Sequence, residues 1–557
     1  MFNFFKKQKI ILLCLFLLFL ALRLPGLHLP YHQDERKAVV GYSSWSSGTP
    51  HPPLTRAIFA LDASIFGRDN FRAMPMVFGV ANLVLIFYFM RKRFGEKAAV
   101  WSTVFFSVSF YSVLGSLMTE MDGQVLPFFF LLSLISYFNW KDAEVTKKRI
   151  IWGLVFLLAI TLGFLTKLNY IIAVGAFIID FLIDKKTGPV NRKLMFKYLG
   201  AALGLIVLLG VILLNAKFFF KSYDLTMTIN HVKDFIKLSG RAYLQIAIQV
   251  AKAVMYASPL LLVPLFWLSR SDWKRFRVLW IFLLLGGVFY LVVFDFSRSA
   301  LDKYLAYIIV PLSIISGTLM SGIFGEKDSR SLTRLGELVF FGLVVAFIIS
   351  VLQFIPHFAP ALYPKEEWIG RIIKLRWNFV FPFTGGSGPL GFYVSWLFIA
   401  TTWAVSILLV IVSLFRRGLM RLVACVILLV GLAYSVVFSE EYLFGKINGN
   451  PNALLKNAVN FIEREDRIHK VISYNDIGAY ELTNIGKYER RLYAAPKFER
   501  AYTEILKNFN GHYLVIDIPH LSPSSPYFEH FLTCDVIYED YSVKISAKIY
   551  DCQNKNN

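Results

Sequence analysis

The sequence predicts an all-α polytopic membrane protein, with about thirteen transmembrane helices, that carries a small C-terminal extracytoplasmic α/β domain. The first reason is composition: 56% of the 557 residues are hydrophobic and the mean hydropathy is +0.55, outside the usual range of a soluble domain. The second is that apolar runs of roughly twenty residues, each able to cross a hydrocarbon core of about 30 Å, recur up to about Phe438. Beyond Phe438 the composition becomes that of a soluble domain.

The predicted membrane spans lie near residues 10–27, 74–93, 97–114, 124–140, 150–166, 168–183, 198–218, 243–268, 278–294, 304–324, 336–356, 389–415 and 420–438. The first span follows Lys6, Lys7 and Lys9, a basic start that a signal peptide would also have. It lacks a small-residue cleavage site before the charged loop that follows. We therefore expect the first span to be retained as an anchor.

The distribution of Lys and Arg predicts the orientation. With the N-terminus in the cytoplasm, seven segments face inward and hold 26 Lys and Arg in 64 residues, whereas six opposite loops hold 17 in 129. The positive-inside rule predicts this asymmetry, so loop 25–73 and the C-terminal domain are expected outside the cytoplasm. The net charge of +22 then reflects topology and contact with anionic membrane lipids, and no nucleic-acid partner is needed to explain it.

The predicted domains are a transmembrane domain over residues 1–438 and an α/β domain over residues 439–557. Two long loops of the transmembrane domain, 25–73 and 357–388, are each predicted to hold an interfacial helix. In the first, apolar residues recur on one helical face between Leu54 and Phe66. In the second, aromatic and basic residues alternate between Trp368 and Trp377, as in a helix anchored at a membrane surface.

Alternating helix and strand patterns predict the small α/β domain. Its helices are expected at residues 451–464 and 497–508, and its strands at 471–474, 513–518 and 543–550. Cys534 and Cys552 lie in this domain, where an extracytoplasmic location permits a disulfide. Cys14 and Cys425 lie in spans, where a thiol behaves as a small hydrophobe, and no Cys/His spacing indicates a zinc site.

Three carboxylates are candidates for catalysis. Asp34 and Glu35 form a pair a few residues beyond the first span, at the membrane surface. Asp122 lies in the short link before the fourth span. A positioned carboxylate can deprotonate an incoming hydroxyl. The alternatives are a solvated surface for the Asp-Glu pair and a helix N-cap for Asp122.

Cations at the same membrane face are candidates for binding a phosphate. The phosphate-binding candidates are Arg72, Lys167, Arg298, Lys303 and, beside them, Tyr304. His51, which precedes Pro52 and Pro53, and Arg56 are further substrate-site candidates. Lys252, nearer the middle of its span, is a weaker candidate. Basic residues near helix ends also commonly extend to lipid headgroups, which is the alternative interpretation. The glycine-rich stretch 384–388 lacks the Lys-Ser/Thr of a P-loop and is predicted to be a flexible loop.

Several of these motifs resemble the GT-C glycosyltransferases, above all the protein O-mannosyltransferases and the transferases that add aminoarabinose to lipid A. The resemblance rests on Asp34-Glu35, Asp122 before an apolar helix, Arg72-x-x-Pro75, Thr166-Lys167, and Lys303-Tyr304 ahead of Pro311. It covers residues 10–325 by motif and 326–557 by architecture alone. It implies that Asp34 is the base, and it implies an integral protein of a bacterial or archaeal inner or plasma membrane.

The resemblance implies an inverting transfer of a sugar from a polyprenyl- or dolichyl-phosphate donor to a protein, lipid or glycan hydroxyl on the extracytoplasmic face. The donor lipid, membrane lipids and the acceptor would be the partners. No cofactor is implied, and a divalent metal is left open. The alternatives are aminoarabinose-type transfer to lipid A, a lipid or sugar transporter, and an inactive scaffold. A transporter is expected to have ionisable residues at the bilayer midplane and repeated halves, whereas most ionisable residues here lie in loops.

Overall fold

The computed structural model describes residues 2–43, 49–184, 192–220, 223–236, 238–295, 302–325, 331–384, 390–494 and 499–553. Within these ranges seven helical segments are long and apolar enough to cross a membrane. They are Lys9–Gly26, Ala73–Phe94, Thr146–Thr166, Tyr243–Trp267, Lys303–Gly325, Trp396–Phe415 and Arg417–Leu443. Shorter apolar helices lie at Leu168–Ile183, Leu203–Phe218, Arg277–Val293 and Gly336–Val351. The polytopic helical fold is confirmed, whereas the count of about thirteen spans stays a prediction.

The chain divides into two compact units. Unit 1 comprises Met1–Leu27 and Lys37–Lys327, and unit 2 comprises His28–Arg36 and Asp328–Asn557. The short segment that carries Asp34 and Glu35 thus packs with the C-terminal part of the chain. The second change of unit along the chain follows Lys327, and the domain boundary at residue 438 stays a prediction.

Unit 1 is helical. Its helices are α1 (Phe2–Ala21), α3 (Pro53–Phe66), α4 (Ala73–Phe94), α5 (Glu96–Val108), α6 (Phe110–Leu117), α7 (Val125–Asp142), α8 (Thr146–Thr166), α9 (Ile171–Ile183), α10 (Arg192–Phe219), α11 (Leu225–Phe235), α12 (Tyr243–Leu262), α13 (Arg270–Arg275), α14 (Arg277–Val288) and α15 (Ile309–Gly325). Helix α2 (Asp34–Lys37) lies at the junction of the units. The predicted helix between Leu54 and Phe66 is confirmed as α3.

The predicted span 97–114 is broken. Helices α5 and α6 meet at Ser109 and are bent by 61°. A break of this kind leaves backbone carbonyls without their helical N–H partners. In a membrane protein these carbonyls need another hydrogen-bond donor. The buried guanidinium of Arg23 supplies one, since it donates to the carbonyl of Ser107 at 2.9 Å and to the hydroxyl of Ser112 at 3.1 Å. Arg23 therefore stabilises the bend.

Unit 2 combines long apolar helices with a mixed sheet. Its helices are α16 (Ser331–Val351), α17 (Lys365–Ile373), α18 (Trp396–Phe415), α19 (Met420–Leu443), α20 (Pro451–Arg464), α21 (Ala479–Asn484), α22 (Glu499–Asn508) and α23 (Pro526–Phe531). The helix predicted between Trp368 and Trp377 begins earlier and ends at Ile373. Strands β1 (Val380–Phe383) and β2 (Phe392–Ser395) form an antiparallel hairpin that the sequence analysis missed.

The α/β domain contains a five-stranded sheet of order β4-β3-β5-β7-β6. Its strands are β3 (Val471–Tyr474), β4 (Tyr488–Leu492), β5 (His512–Ile516), β6 (Asp535–Ser542) and β7 (Ile545–Asp551). Strand β3 is parallel to both β4 and β5, and β7 is antiparallel to both β5 and β6. The predicted helix 451–464 and strand 471–474 are confirmed, and the other three predicted elements are displaced by up to two residues.

Both faces of this sheet are covered. On one face, Leu455 and Ile462 of α20 pack with Leu514 and Ile516 of β5 in a buried cluster. On the other face, Leu506 of α22 and Phe531 of α23 belong to a second cluster that includes Cys534 and Cys552. These two cysteines form the disulfide that their location permits.

Candidate active site

Asp122 and Lys167 form a buried ion pair in unit 1. Helix α8 ends at Thr166, and Lys167 adopts an extended conformation before the chain turns into α9. This turn directs the ammonium to the carboxylate of Asp122, and the two side chains are 8% and 4% exposed. The second oxygen of Asp122 accepts a hydrogen bond of 3.0 Å from Asn169, and the Asn169 amide also donates to Tyr290 at 2.8 Å. Asp122 is therefore held on two sides.

Gly123 allows Asp122 to reach this position. The link between α6 and α7 folds back on α6 so closely that a Cβ at Gly123 would overlap the backbone carbonyl of Gly115. Only glycine fits such an approach without movement of the backbone.

Glu120 and Lys303 form a second ion pair from the same link. Their side chains are 11% and 6% exposed. Both lysines lie near the ring of Tyr304, whose centroid is 4.6 Å from Lys167 Nζ and 5.4 Å from Lys303 Nζ. Both ammonium groups thus face one aromatic ring, and each also has a carboxylate partner. We call Glu120, Asp122, Lys167, Lys303 and Tyr304 the paired-charge cluster.

A small cavity of about 40 Å³ adjoins this cluster. Asp122, Asn169 and Tyr290 contribute polar atoms to it, and its other walls are largely apolar, including Phe130 and Phe282. A largely apolar cavity with a few convergent polar groups is typical of a ligand site.

Arg72 and α3 pack near the same corner of unit 1. The buried Arg72 donates a hydrogen bond to the carbonyl of Leu117, at the start of the link that carries Glu120 and Asp122. Thr55, at the start of α3, donates to the carbonyl of Thr166, next to Lys167. Arg56 is also buried, and this burial lowers its pKa. These contacts join the Pro52-Pro53 turn and Arg72 to the segments that carry Lys167 and Asp122.

His51 directly precedes the Pro52-Pro53 turn. Its ring makes an edge contact with His231 at 5.2 Å between centroids, and its backbone N–H donates to Thr49. Lys252 is buried in α12. Arg298 falls outside the described residues.

In unit 2, Glu35 and Asp34 differ sharply in burial. Glu35 is fully buried, and its carboxylate accepts a hydrogen bond of 3.1 Å from the backbone N–H of His32. This bond satisfies a donor at the start of α2, as a capping residue does. Asp34 is only half-buried. The two neighbouring carboxylates therefore have different environments, and their catalytic roles stay predictions.

The segment that carries Asp34 packs on the α/β domain. Arg36 donates a hydrogen bond of 3.1 Å to the hydroxyl of Thr483, and its guanidinium lies 4.4 Å from the ring centroid of Tyr488. Gln33 makes longer hydrogen bonds to Asn475, and Tyr31 makes an edge contact with the ring of Tyr480. We call Asn475, Tyr480, Thr483 and Tyr488 of the α/β domain the docking surface.

The docking surface lies beside a strained turn at the carboxyl end of β3. Asn475 and Asp476 have φ values of 55° and 65°, a conformation that few residues other than glycine adopt. Asp476 is held there by Arg491 at 2.9 Å and by the hydroxyl of Tyr488 at 2.9 Å. Backbone strain of this kind persists only where surrounding contacts fix it.

His32 is enclosed at this contact. It is fully buried, and neither ring nitrogen has a hydrogen-bond partner. Burial lowers the pKa of His32 to about 4, although the charges of Asp476 and Asp34 act in the opposite direction. The imidazole is therefore neutral at physiological pH.

Seven of the residues that define these two regions were not predicted from sequence. Glu120 and Asn169 lie within two residues of the predicted Asp122 and Lys167, which was the available signal. Tyr290 and the docking surface gave no signal, because their partners are distant in sequence. His530 lies near Cys534 and Cys552, but a disulfide occupies both sulfurs, so this group is not a zinc site.

The chain shows similarity to one protein family and to several solved structures. Residues 50–213 match the dolichyl-phosphate-mannose-protein mannosyltransferase family. The structure of ArnT from Cupriavidus metallidurans in the apo state is 14% identical, with 98% of each chain covered and a TM-score of 0.55. The same protein bound to undecaprenyl phosphate gives 14% identity, the same coverage and a TM-score of 0.51.

A weaker likeness is to the Archaeoglobus fulgidus oligosaccharyltransferase tethered with an acceptor peptide, at 12% identity and a TM-score of 0.45, covering 91% of this chain and 68% of that one. No curated protein is significantly similar to the chain in sequence. The family match covers the segment from His51 through Lys167, and the ArnT likeness shows that the fold is shared along the whole chain. Together they agree with the resemblance to the GT-C glycosyltransferases that the sequence motifs indicate, over residues 50–213 in sequence and along the whole chain in fold.

Proposed function

We propose that the protein transfers a sugar, with inversion, from a polyprenyl- or dolichyl-phosphate donor to a hydroxyl acceptor on the extracytoplasmic face. The observation that carries this proposal is the paired-charge cluster beside its cavity. Two buried ammonium groups, those of Lys167 and Lys303, lie within 5.4 Å of the ring centroid of Tyr304. A lipid-phosphate donor has the matching chemistry, with a long apolar chain and an anionic head.

The carboxylate partners of the two lysines suit them for phosphate binding. An ammonium group carries three N–H donors, and one ion pair leaves donors for a further anion. Asp122 and Glu120 supply the counter-charges that two buried ammonium groups need. Cations held in advance stabilise the negative charge that develops on a departing phosphate. Arg72 and Arg298 complete the proposed set.

The reaction needs a base more than an acid. A phosphate-linked sugar already has a good leaving group, so the acceptor hydroxyl attacks the anomeric carbon while the bond to the phosphate oxygen breaks. The acceptor proton passes to a carboxylate. The proposal assigns this role to Asp34, because it is half-buried and keeps part of its surface accessible, whereas the Glu35 carboxylate caps the start of α2.

The names of the similar proteins support the donor class. The ArnT structure of the same fold contains undecaprenyl phosphate, and the matched family takes its name from dolichyl phosphate mannose and a protein acceptor. A polyprenyl-phosphate-linked sugar is therefore the proposed donor, and a protein, lipid or glycan hydroxyl is the proposed acceptor.

Binding of undecaprenyl phosphate tests the proposed phosphate site. Wild-type protein, Lys167→Gln and Lys303→Gln would be purified in detergent and titrated with this lipid. Each substitution should weaken binding about tenfold or more, because a charge-assisted hydrogen bond is worth roughly 1.5–3 kcal/mol. Lys233→Gln is the matched control, since Lys233 is exposed on α11. Thermal melting of each variant verifies folding, and superimposable titrations of folded variants would refute this site.

Mass spectrometry of a strain that lacks the protein identifies the substrates. The proposal predicts that one lipid-linked sugar accumulates and that one sugar disappears from a surface glycan, lipid or protein. Reporter fusions test the proposed orientation. A fusion at Lys147 should report the cytoplasm, and a fusion at Asn510 should report the outside, whereas a cytoplasmic signal from Asn510 would place the α/β domain on the wrong side for this reaction.

A further inference from the structure

A second cavity lies in unit 1 at the opposite ends of the helices that follow Arg72 and Asp122. Its volume is about 140 Å³, and its lining includes Phe89, Arg93, Phe94, Phe138, Arg275 and Phe276. Phe89, Arg93 and Phe94 lie in the last two turns of α4, and Phe138 lies near the end of α7. Because the 22 residues of α4 rise about 33 Å, this cavity is about one membrane thickness away from the paired-charge cluster.

Aromatic rings orient both arginines of this cavity. The Arg93 guanidinium lies 4.1 Å from the ring centroid of Phe138, and the Arg275 guanidinium lies 4.2 Å from that of Phe94. Phe94 in turn stacks on Phe276 at 5.3 Å. A guanidinium that stacks on a ring uses its face and keeps the N–H groups on its edge available for an anion.

The two arginines differ in their acidic partners. Arg93 pairs with Asp142, whose side chain is 54% exposed. Within the described part of the chain, Arg275 makes no hydrogen bond and no ion pair. The nearby Asp272 instead caps its own helix through the Ser269 backbone N–H at 2.9 Å. By contrast, Arg277 binds the buried Asp180 at 2.6 Å. Arg275 thus presents unused donors at a cavity with aromatic walls.

We propose that this cavity binds the phosphate headgroup of an anionic phospholipid. Arg275 and Arg93 would bind the phosphate oxygens, and the four phenylalanines would contact the glycerol and the start of the acyl chains. Segments 91–97 and 269–277, which carry the arginines, are both among the basic segments predicted to face the cytoplasm. Basic cavities between transmembrane helices at that surface commonly bind anionic lipid headgroups. This site is separate from the proposed donor site.

Native mass spectrometry of the full chain in detergent tests the proposal. The probes are dioleoylphosphatidylglycerol, dioleoylphosphatidylcholine and undecaprenyl phosphate, each titrated against wild-type protein, Arg275→Gln and Arg93→Gln. Arg270→Gln is the matched control, because Arg270 is exposed on the same short helix. Gln keeps a planar polar end group without the charge, and thermal melting of each variant verifies the fold.

Wild-type protein should bind phosphatidylglycerol about tenfold more tightly than phosphatidylcholine, and Arg275→Gln should remove most of this difference. Arg270→Gln should leave it unchanged, and Arg275→Gln should leave binding of undecaprenyl phosphate unchanged. Equal affinities of Arg275→Gln and Arg270→Gln for phosphatidylglycerol would overturn the proposal. So would a loss of undecaprenyl phosphate binding in Arg275→Gln, since the cavity would then belong to the donor lipid. Neither result depends on the outcome for Lys167 and Lys303.

Discussion

The ammonium of Lys167 lies in a buried ion pair with the carboxylate of Asp122, at the turn where two apolar helices meet. Removing two such charges from water costs free energy, which close contact and further hydrogen bonds have to offset. Asn169 supplies one of these bonds to Asp122. Replacement of one partner is therefore expected to lower the free energy of unfolding more than replacement of both.

We expect Asp122→Asn to destabilise the protein by about 3–5 kcal/mol, because it leaves the buried Lys167 without a counter-charge. The double variant Asp122→Asn/Lys167→Gln should recover part of this loss. Thermal melting in detergent measures both effects. Asp142→Asn is the control, because it breaks the more exposed pair with Arg93, where a loss of at most about 1 kcal/mol is expected. An equal loss in Asp122→Asn and Asp142→Asn would contradict a buried, coupled pair.

Arg36→Ala should release the segment that carries Asp34 from the docking surface. The substitution removes the hydrogen bond to Thr483 and the contact with the ring of Tyr488. These are together worth about 1–2 kcal/mol, so amide hydrogen exchange within residues 32–36 should become roughly five- to thirtyfold faster. The exposed neighbour Lys37 offers a control, Lys37→Ala. If both variants exchange at the wild-type rate, the Arg36 contacts do not hold the segment.

The stability of unit 2 should fall as the pH drops, in part because of His32. Burial lowers the pKa of His32 to about 4, whereas an unfolded chain gives about 6.5. Between these values the unfolded state binds a proton that the folded state does not, so stability is present above pH 6.5 and decreases toward pH 4. The full effect is roughly 3 kcal/mol. His32→Phe removes this titration, and its melting temperature should depend less on pH in this window. Parallel pH profiles for wild type and His32→Phe would contradict the argument.

The sequence predicted elements wherever a local pattern decides the structure. Helix α20 has a local start signal in Asn450 and Pro451, and the structure gives the predicted bounds. Asp122 and Lys167 were predicted separately, each next to the end of an apolar run, but their contact was not. It depends on the close approach of Gly123 to Gly115, which no periodicity encodes.

The parts that were missed depend on contacts between distant residues. The β1–β2 hairpin contributes Val380 and Tyr393 to the core around α20, so burial in unit 2 rather than local pattern explains it. The contact of Arg36 with Thr483 joins residues 447 positions apart. A single sequence contains no signal for such a pair, and the predicted boundary at 438 could not anticipate that residues 28–36 pack with the C-terminal part.

Replacement of Asp34 tests the proposed reaction most directly. A strain that lacks the protein would receive wild type, Asp34→Asn or Asp69→Asn, and mass spectrometry would quantify lipid-linked sugars and surface glycans. Asp69 is the matched control, because it is an exposed aspartate of the same predicted loop 25–73. Membrane fractions would verify equal amounts of each protein.

The amide of Asn cannot accept a proton from the acceptor hydroxyl, so the rate should fall about a hundredfold or more. We therefore expect Asp34→Asn to leave the sugar on its lipid, as in the strain that lacks the protein. Wild type and Asp69→Asn should restore transfer. Restoration of transfer by Asp34→Asn at the wild-type level would contradict the assignment of Asp34 as the base.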